Sequence, residues 1–148
     1  MTRSPLLLGS KSESERAMRA GVVRIGLGAV MLLAPALGRR VFGVPDKQDN
    51  SAVRLLARLF GIRQIVLGAW AIQVQNSGAD QRRMCYQLNA ATDAVDVGAL
   101  AVAGVFGEGL VQAAIMGSLL GTSEVLAWLD LLGDVDKEEP QGGSVALT

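Results

Sequence analysis

The sequence predicts an all-α fold, an integral membrane four-helix bundle with antiparallel neighbouring helices. Three observations carry this expectation. Half of the 148 residues are hydrophobic, and the mean hydropathy is +0.34. The apolar residues gather into four segments close to the roughly 20 residues that a bilayer core requires. Most of the 18 glycines fall inside those segments. A water-soluble helix loses about 0.8–1.0 kcal/mol for each such glycine relative to alanine, whereas in lipid small residues let helix backbones approach.

The first segment runs from about Ala17 to Leu37. Ser12 followed by Glu15 forms a capping box that starts its helix a few residues earlier. The second runs from about Ala52 to Val74, the third from Arg82 to Val105 and the fourth from Leu110 to Leu132. Between them lie GRRVFGVPDKQDN, NSGAD and GVFGEG, whose turn residues and short lengths suit antiparallel neighbours. Residues 1–11 and 133–148 lack periodicity and are expected to be a flexible N-terminus and a flexible acidic tail, flanking a transmembrane domain at 12–132. Ala34-Pro35-Ala36 resembles a cleavage site, but the charged stretch before it is too long for a signal peptide. No charge-free run reaches about 18 residues; the longest, Gln64 to Ala79, has 16. A soluble bundle with a very apolar core is therefore the alternative to lipid.

Arginines decide how the second segment sits. RLLARLFGIRQ places Arg54, Arg58 and Arg63 among apolar residues. A central arginine costs about 2.5–3.5 kcal/mol on the insertion scale, and each Leu, Ile, Phe or Val returns only about 0.3–0.6. Three central arginines would outweigh the whole segment. With the hydrocarbon boundary near Arg58, Arg54 and Arg58 reach lipid headgroups and Arg63 lies roughly 7–8 Å deep. It then needs a partner. Asp93 and Asp96 share one face of the third helix. Asp96 falls about 10 Å from the same boundary, so Arg63 is expected to pair with Asp96, with Asp93 as alternate. The same count puts Arg24 and Glu124 near the opposite boundary as a structural ion pair.

Basic flanks set the orientation. Arg3, Lys11, Arg16, Arg19, Arg82, Arg83 and Lys137 share one side, against Arg39, Arg40 and Lys47 on the other. The positive-inside rule then predicts a multi-pass protein of the cell membrane with both termini cytoplasmic. Tyr86 and Trp128 are expected as anchors at the inner interface, and Phe42 and Phe106 at the outer one.

Function classes narrow by exclusion. A net charge of zero gives no basic face for nucleic acid. With no histidine and only Cys85, the chain lacks Ser-His-Asp triads, Cys-His pairs and His-bearing zinc sites. Gly26-x-Gly28 follows no strand and is no dinucleotide fingerprint, and no cofactor is implied. Asp93, Asp96 and Glu124 could offer only an all-oxygen metal site for which arginines compete, so no metal is expected. Gly117-Ser118-Leu119-Leu120-Gly121 is a GxxxG packing motif, suited equally to the bundle interior and to a homo-oligomer.

LLAPALGRRVFGVPD followed by RLLARLFGIRQIVLGAWAI resembles a group of small bacterial four-helix membrane proteins that are loosely DoxX-like. The resemblance covers about residues 18–130 and rests on the Pro and Arg residues closing helix 1, on Phe42-Gly43-x-Pro45 and on Arg58 to Arg63. It implies the four-helix fold and assigns no catalytic residue. Three functions follow as expectations. The first is a non-catalytic subunit packing with itself or a larger membrane complex. The second is a binder of a small apolar or proton-coupled ligand at Arg63, Asp93 and Asp96. The third, by the DoxX-like analogy, is a redox-linked enzyme, although the chain offers no nucleophile–base pair.

Overall fold

Local chemistry sets the first helix at both ends. Ser12 is extended, and its hydroxyl accepts the Glu15 amide at 3.2 Å, opening α1 (Glu13–Leu33). Proline closes it. Pro35 has no amide to donate and pushes the preceding residue out of the helical region; Ala34 sits at φ −132°, ψ 62°. Pro35 then becomes the first residue of α2 (Pro35–Val41), which leaves α1 at a bend of 118°. The computed structural model describes residues 12–138. It continues through α3 (Ser51–Gln73), capped by the Asn50 side chain, to α4 (Ala79–Phe106) and α5 (Val111–Glu138). Single 3-10 turns lead into α3 and out of it. Gly109, at φ 74°, turns the chain between α4 and α5.

The described residues are all-helical, with five helices where four were expected. The first apolar segment is not continuous, because Pro35 breaks it. Three helices are long and apolar enough to cross a membrane, and the bent α1–α2 pair passes the same test when taken together. α5 runs on to Glu138, through part of the tail expected to be flexible. Val135 is fully buried, Asp134 pairs with Arg16 and Lys137, and Asp136 pairs with Arg83. These contacts hold the extra turns. The rest of that tail and the expected flexible N-terminus lie outside the described residues.

Glycines organise the helices into two antiparallel hairpins. On α1, Gly21 and Gly28 are seven residues apart; on α3, so are Gly61 and Gly68. They meet in register. A Cβ on Gly28 would stand 2.5 Å from the Gly61 carbonyl oxygen, and one on Gly61 would stand 2.6 Å from that of Gly28. Gly21 and Gly68 repeat the reciprocal fit at 2.7 and 2.6 Å. The two backbones touch, and no other side chain fits between them. α4 and α5 pack through Gly104 on Ala114, Gly117 on Leu100 and Gly121 on Val97. The GxxxG glycines therefore serve packing within the chain. Between the hairpins contact is sparser, running along α1–α5 and α3–α4.

Polar groups enter the interior beside its apolar core, while apolar side chains also cover the outside. Arg24, Gln64, Asn89 and Asp93 are almost wholly buried, whereas Leu33, Leu56, Val66, Val95, Val105 and Leu119 stand on the outside. Tyr86 and Trp128, expected as interfacial anchors, are instead in the interior with ring centroids 5.7 Å apart. Their polar tips have partners there. The Tyr86 hydroxyl donates to Glu13, and the Trp128 indole donates to Asp93. Arg82 joins Glu13 at 2.7 Å, and Arg16 joins Asp130 at 2.8 Å, so this end of the molecule ties α1 to α4 and α5.

Packing through these glycines predicts a graded response to added methyl groups. Gly28→Ala and Gly61→Ala should lower the Tm in detergent, because a Cβ there meets backbone that cannot yield. Gly26→Ala and Gly133→Ala, whose Cβ would meet nothing within 4 Å, should match the parent. Gly117→Ala should fall between, since its Cβ meets only the end of the flexible Leu100 side chain. Equal Tm values across the series would mean that the hairpins do not pack on these faces.

Candidate functional site

Each long helix carries at least one ionisable residue within about one turn of its midpoint. Arg24 is on α1, Arg63 on α3, Asp93 and Asp96 on α4, and Glu124 on α5. The hairpin registers bring them into one layer. Arg24 and Asp93, with side chains 1% and 2% exposed, form a two-pronged pair: Nη1 donates to Oδ2 at 2.8 Å and Nη2 to Oδ1 at 2.5 Å. The Trp128 Nε1–H adds a third donor to Oδ2 at 3.0 Å, and the Arg24 guanidinium lies 5.7 Å from the Trp128 ring centroid. The Asp93 carboxylate is thus surrounded by donors, which is what an ionised carboxylate needs when it leaves water.

Arg63 donates to Asp96, and its guanidinium rests 5.0 Å from the Phe60 ring centroid. This pair is more open, with side chains 37% and 23% exposed. The structure thus brings Arg63 and Asp96 together but gives Asp93 to Arg24. That corrects the expected alternate partner of Arg63. The expected Arg24–Glu124 pair does form, with Glu124 3.6 Å from Arg24 Nη1, but as the second partner behind Asp93. The reason is depth. Counting inward from flanking charges placed Arg24 and Glu124 near a boundary, whereas α1 and α5 extend further and carry both to mid-length, level with Asp93. Helix rotation then decides which carboxylate meets the guanidinium.

The expected ligand or proton site is therefore occupied by the chain's own side chains. Two neighbouring amides in the interior are less fully engaged. Asn89 donates to the Cys85 carbonyl at 2.9 Å, but its Oδ1 has no partner, nor does Gln64 Oε1. Cys85 is completely buried. Among the described residues, no group of three or more Cys, Asp or Glu is placed to hold a metal ion.

A second feature lies toward the α2 end. Where the hairpins part, α2 and the loop after it roof a cavity of about 400 Å³. Met31, Phe42, Leu56, Phe60, Leu100 and Leu110 form much of its wall. Phe60, on which Arg63 rests, belongs to both cavity and ionic layer. Nothing in the sequence marked this space, because it depends on α2 folding back at Pro35. Its rim is ionic. Arg39 donates to the Val44 carbonyl at 2.8 Å and to Asp46 at 2.5 Å. Arg54, expected at a lipid headgroup, is held by Asp49 through Nε at 2.8 Å and Nη2 at 3.0 Å. The Arg54 hydrogen bond keeps the Asp49 carboxyl below its ordinary range. Arg58, the other headgroup candidate, is exposed one turn further along α3.

The Arg24–Asp93 pair makes a measurable demand on the fold. Arg24→Leu alone leaves a buried carboxylate without its counter-charge, a loss on the order of 3–5 kcal/mol. The double change Arg24→Leu/Asp93→Leu should recover most of it, and a double-mutant cycle on stability in detergent should show strong coupling. The same cycle on the more exposed Arg63 and Asp96 should give weaker coupling. Additive losses for Arg24 and Asp93 would mean that the two do not depend on each other. Searches of family models, curated proteins and solved structures find no match to this chain.

Proposed function

We propose that this chain is a non-catalytic, multi-pass protein of the cell membrane that binds a small apolar molecule between its two hairpins. The supporting observation is the 400 Å³ cavity with its apolar wall, a volume within the roughly 300–1,000 Å³ typical of small-molecule sites. The apolar outer surface supports the lipid setting. Leu33, Val95, Val105 and Phe106 are 71–82% exposed, and large apolar side chains left outside in such number favour lipid over water. α1, α3, α4 and α5 then make four crossings, with α2 and its loop on the side opposite the termini. The basic flanks place the termini in the cytoplasm.

Three other expectations draw less support. Gly117 and Gly121 both pack on α4 and need no second chain to cover them. A ligand site at Asp93 and Asp96 would have to displace Arg24 and Arg63 from them. The redox-linked reading suggested by the DoxX-like resemblance draws no support from Cys85, the chain's one thiol, which is sealed inside.

Binding is tested in lipid nanodiscs with and without the protein. An apolar probe such as undecane should be retained by protein-loaded discs above the level of empty ones. Ala113→Phe, which fills the cavity, should remove that excess, while Ala99→Phe on the outer face of α4 should not. Equal retention by loaded and empty discs would overturn the binding function. For the topology, Lys47→Cys and Ser77→Cys should be labelled by a membrane-impermeant reagent from opposite sides. Labelling from the same side would refute four crossings.

A further inference from the structure

The mouth of the cavity lies in its side wall. Among the described residues that line it, Arg54 and Leu56 are the exposed ones. Leu56 is 64% exposed, and Leu55 and Leu59 beside it also stand on the outside. The mouth therefore opens sideways onto apolar surface, near the start of α3. On α3, Leu56, Phe60 and Arg63 follow one another at helical spacing, and on α4 so do Asp96, Leu100 and Ala103. Arg63 donates to Asp96. That pair closes the cleft between the two stripes at its inner end, and the other four residues line the cavity beyond it.

This shape suits a chain lying parallel to the helices. From Val53 to Phe60, both in the wall, α3 rises roughly 10 Å, against about 15 Å for the hydrocarbon of one leaflet. The mouth has a polar edge as well as an apolar one. Arg54, its side chain 56% exposed, uses Nε and Nη2 on Asp49 and leaves Nη1 without a partner, so a headgroup phosphate beside it finds a charged donor. In a bilayer the apolar group most concentrated next to Leu56 is the lipid chain itself, and occupancy follows concentration as well as affinity. Resting on the cavity function and the lipid setting proposed above, we infer that the apolar molecule held in the cavity is one acyl chain of a bilayer phospholipid, which enters sideways past Leu56 while its headgroup stays outside beside Arg54. Undecane is then a headless stand-in for that chain.

The probe is phosphatidylcholine with a diazirine near the middle of one acyl chain, added to nanodiscs that hold the protein and then photolysed. Mass spectrometry reads which residues are labelled. Val102, 59% exposed on α4, reports lipid outside, and Ala114, 7% exposed in the cavity wall, reports lipid inside. Both should be labelled in the parent protein. Added undecane should compete away the Ala114 label and spare that of Val102, a readout that needs no variant. Ala113→Phe should likewise lose the Ala114 label and keep that of Val102. Leu56→Trp, which narrows the mouth, should slow the appearance of the Ala114 label after the probe is added, with Val102 labelled at the parent's rate.

Label on Val102 with none on Ala114, in a parent protein that still retains undecane, would overturn the acyl-chain inference and leave the cavity function standing. An Ala114 label that neither undecane nor Ala113→Phe reduces would overturn it too, since that label would come from outside the cavity. An unchanged rate in Leu56→Trp would overturn entry past Leu56. The matching diazirine fatty acid separates the two sources of a chain: label on Ala114 from the free acid, with none from the phospholipid, would overturn the phospholipid as occupant. Absence of both undecane retention and Ala114 label would overturn the cavity function itself.

Discussion

The contact between Arg24 and Asp93 is the constraint around which the two halves of this molecule are arranged. Each hairpin is sealed along its own length by small residues, but the surface where hairpin meets hairpin is comparatively sparse. A two-pronged guanidinium–carboxylate pair, almost wholly buried and braced by Trp128, crosses that surface. Apolar packing between helices tolerates sliding and rotation, and in lipid it gains nothing from expelling water. A planar pair with fixed hydrogen-bond directions does not tolerate them. It sets how far one hairpin is rotated against the other, and it draws Glu124 into the same layer.

That arrangement also explains where space is left. Near the chain termini the hairpins are drawn together by Glu13 with Tyr86 and Arg82, and by Arg16 with Asp130 and Asp134. At mid-length the ionic layer bridges them. Toward the other end, among the described residues, no ion pair joins the hairpins across the cavity; the Gln48 side chain donates to the Glu108 carbonyl at 3.0 Å, and α2 lies over the opening. The cavity thus follows from the distribution of cross-links along the helices, and its floor is the Phe60 ring that supports Arg63.

Much of the helical scaffold was legible in the residues. Ser12 with Glu15 announced the start of α1, the apolar segments located the long helices, and a count of rise per residue set Arg63 level with Asp96. What could not be read was rotation about each helix axis. In a water-soluble helix an apolar stripe reports which face turns inward, but here outer and inner faces are both rich in apolar side chains, so Arg24 gave no hint that Asp93 would be preferred to Glu124. Trp128 was likewise ambiguous, since an indole suits an interface or a buried carboxylate equally well. One signal was present and unused: the seven-residue spacing shared by Gly21 and Gly28 with Gly61 and Gly68. The proline at 35 foretold the end of a helix, but not that the next turns would fold back to roof a cavity.

The division of charge between the hairpins bears on the order of assembly. The half made first carries Arg24 and Arg63 at mid-length, and the half made second carries Asp93, Asp96 and Glu124. Neither half contains, near its own midpoint, the counter-ions that its burial requires. In the membrane setting proposed above, the α1–α3 hairpin would hold two uncompensated cations until α4 emerges, a state that favours a shallow or water-accompanied position over full insertion. Arrival of the acidic hairpin discharges it. Completion of the fold would thereby be coupled to the arrival of α4 and α5, and a product truncated before α4 would leave Arg24 and Arg63 without their carboxylates.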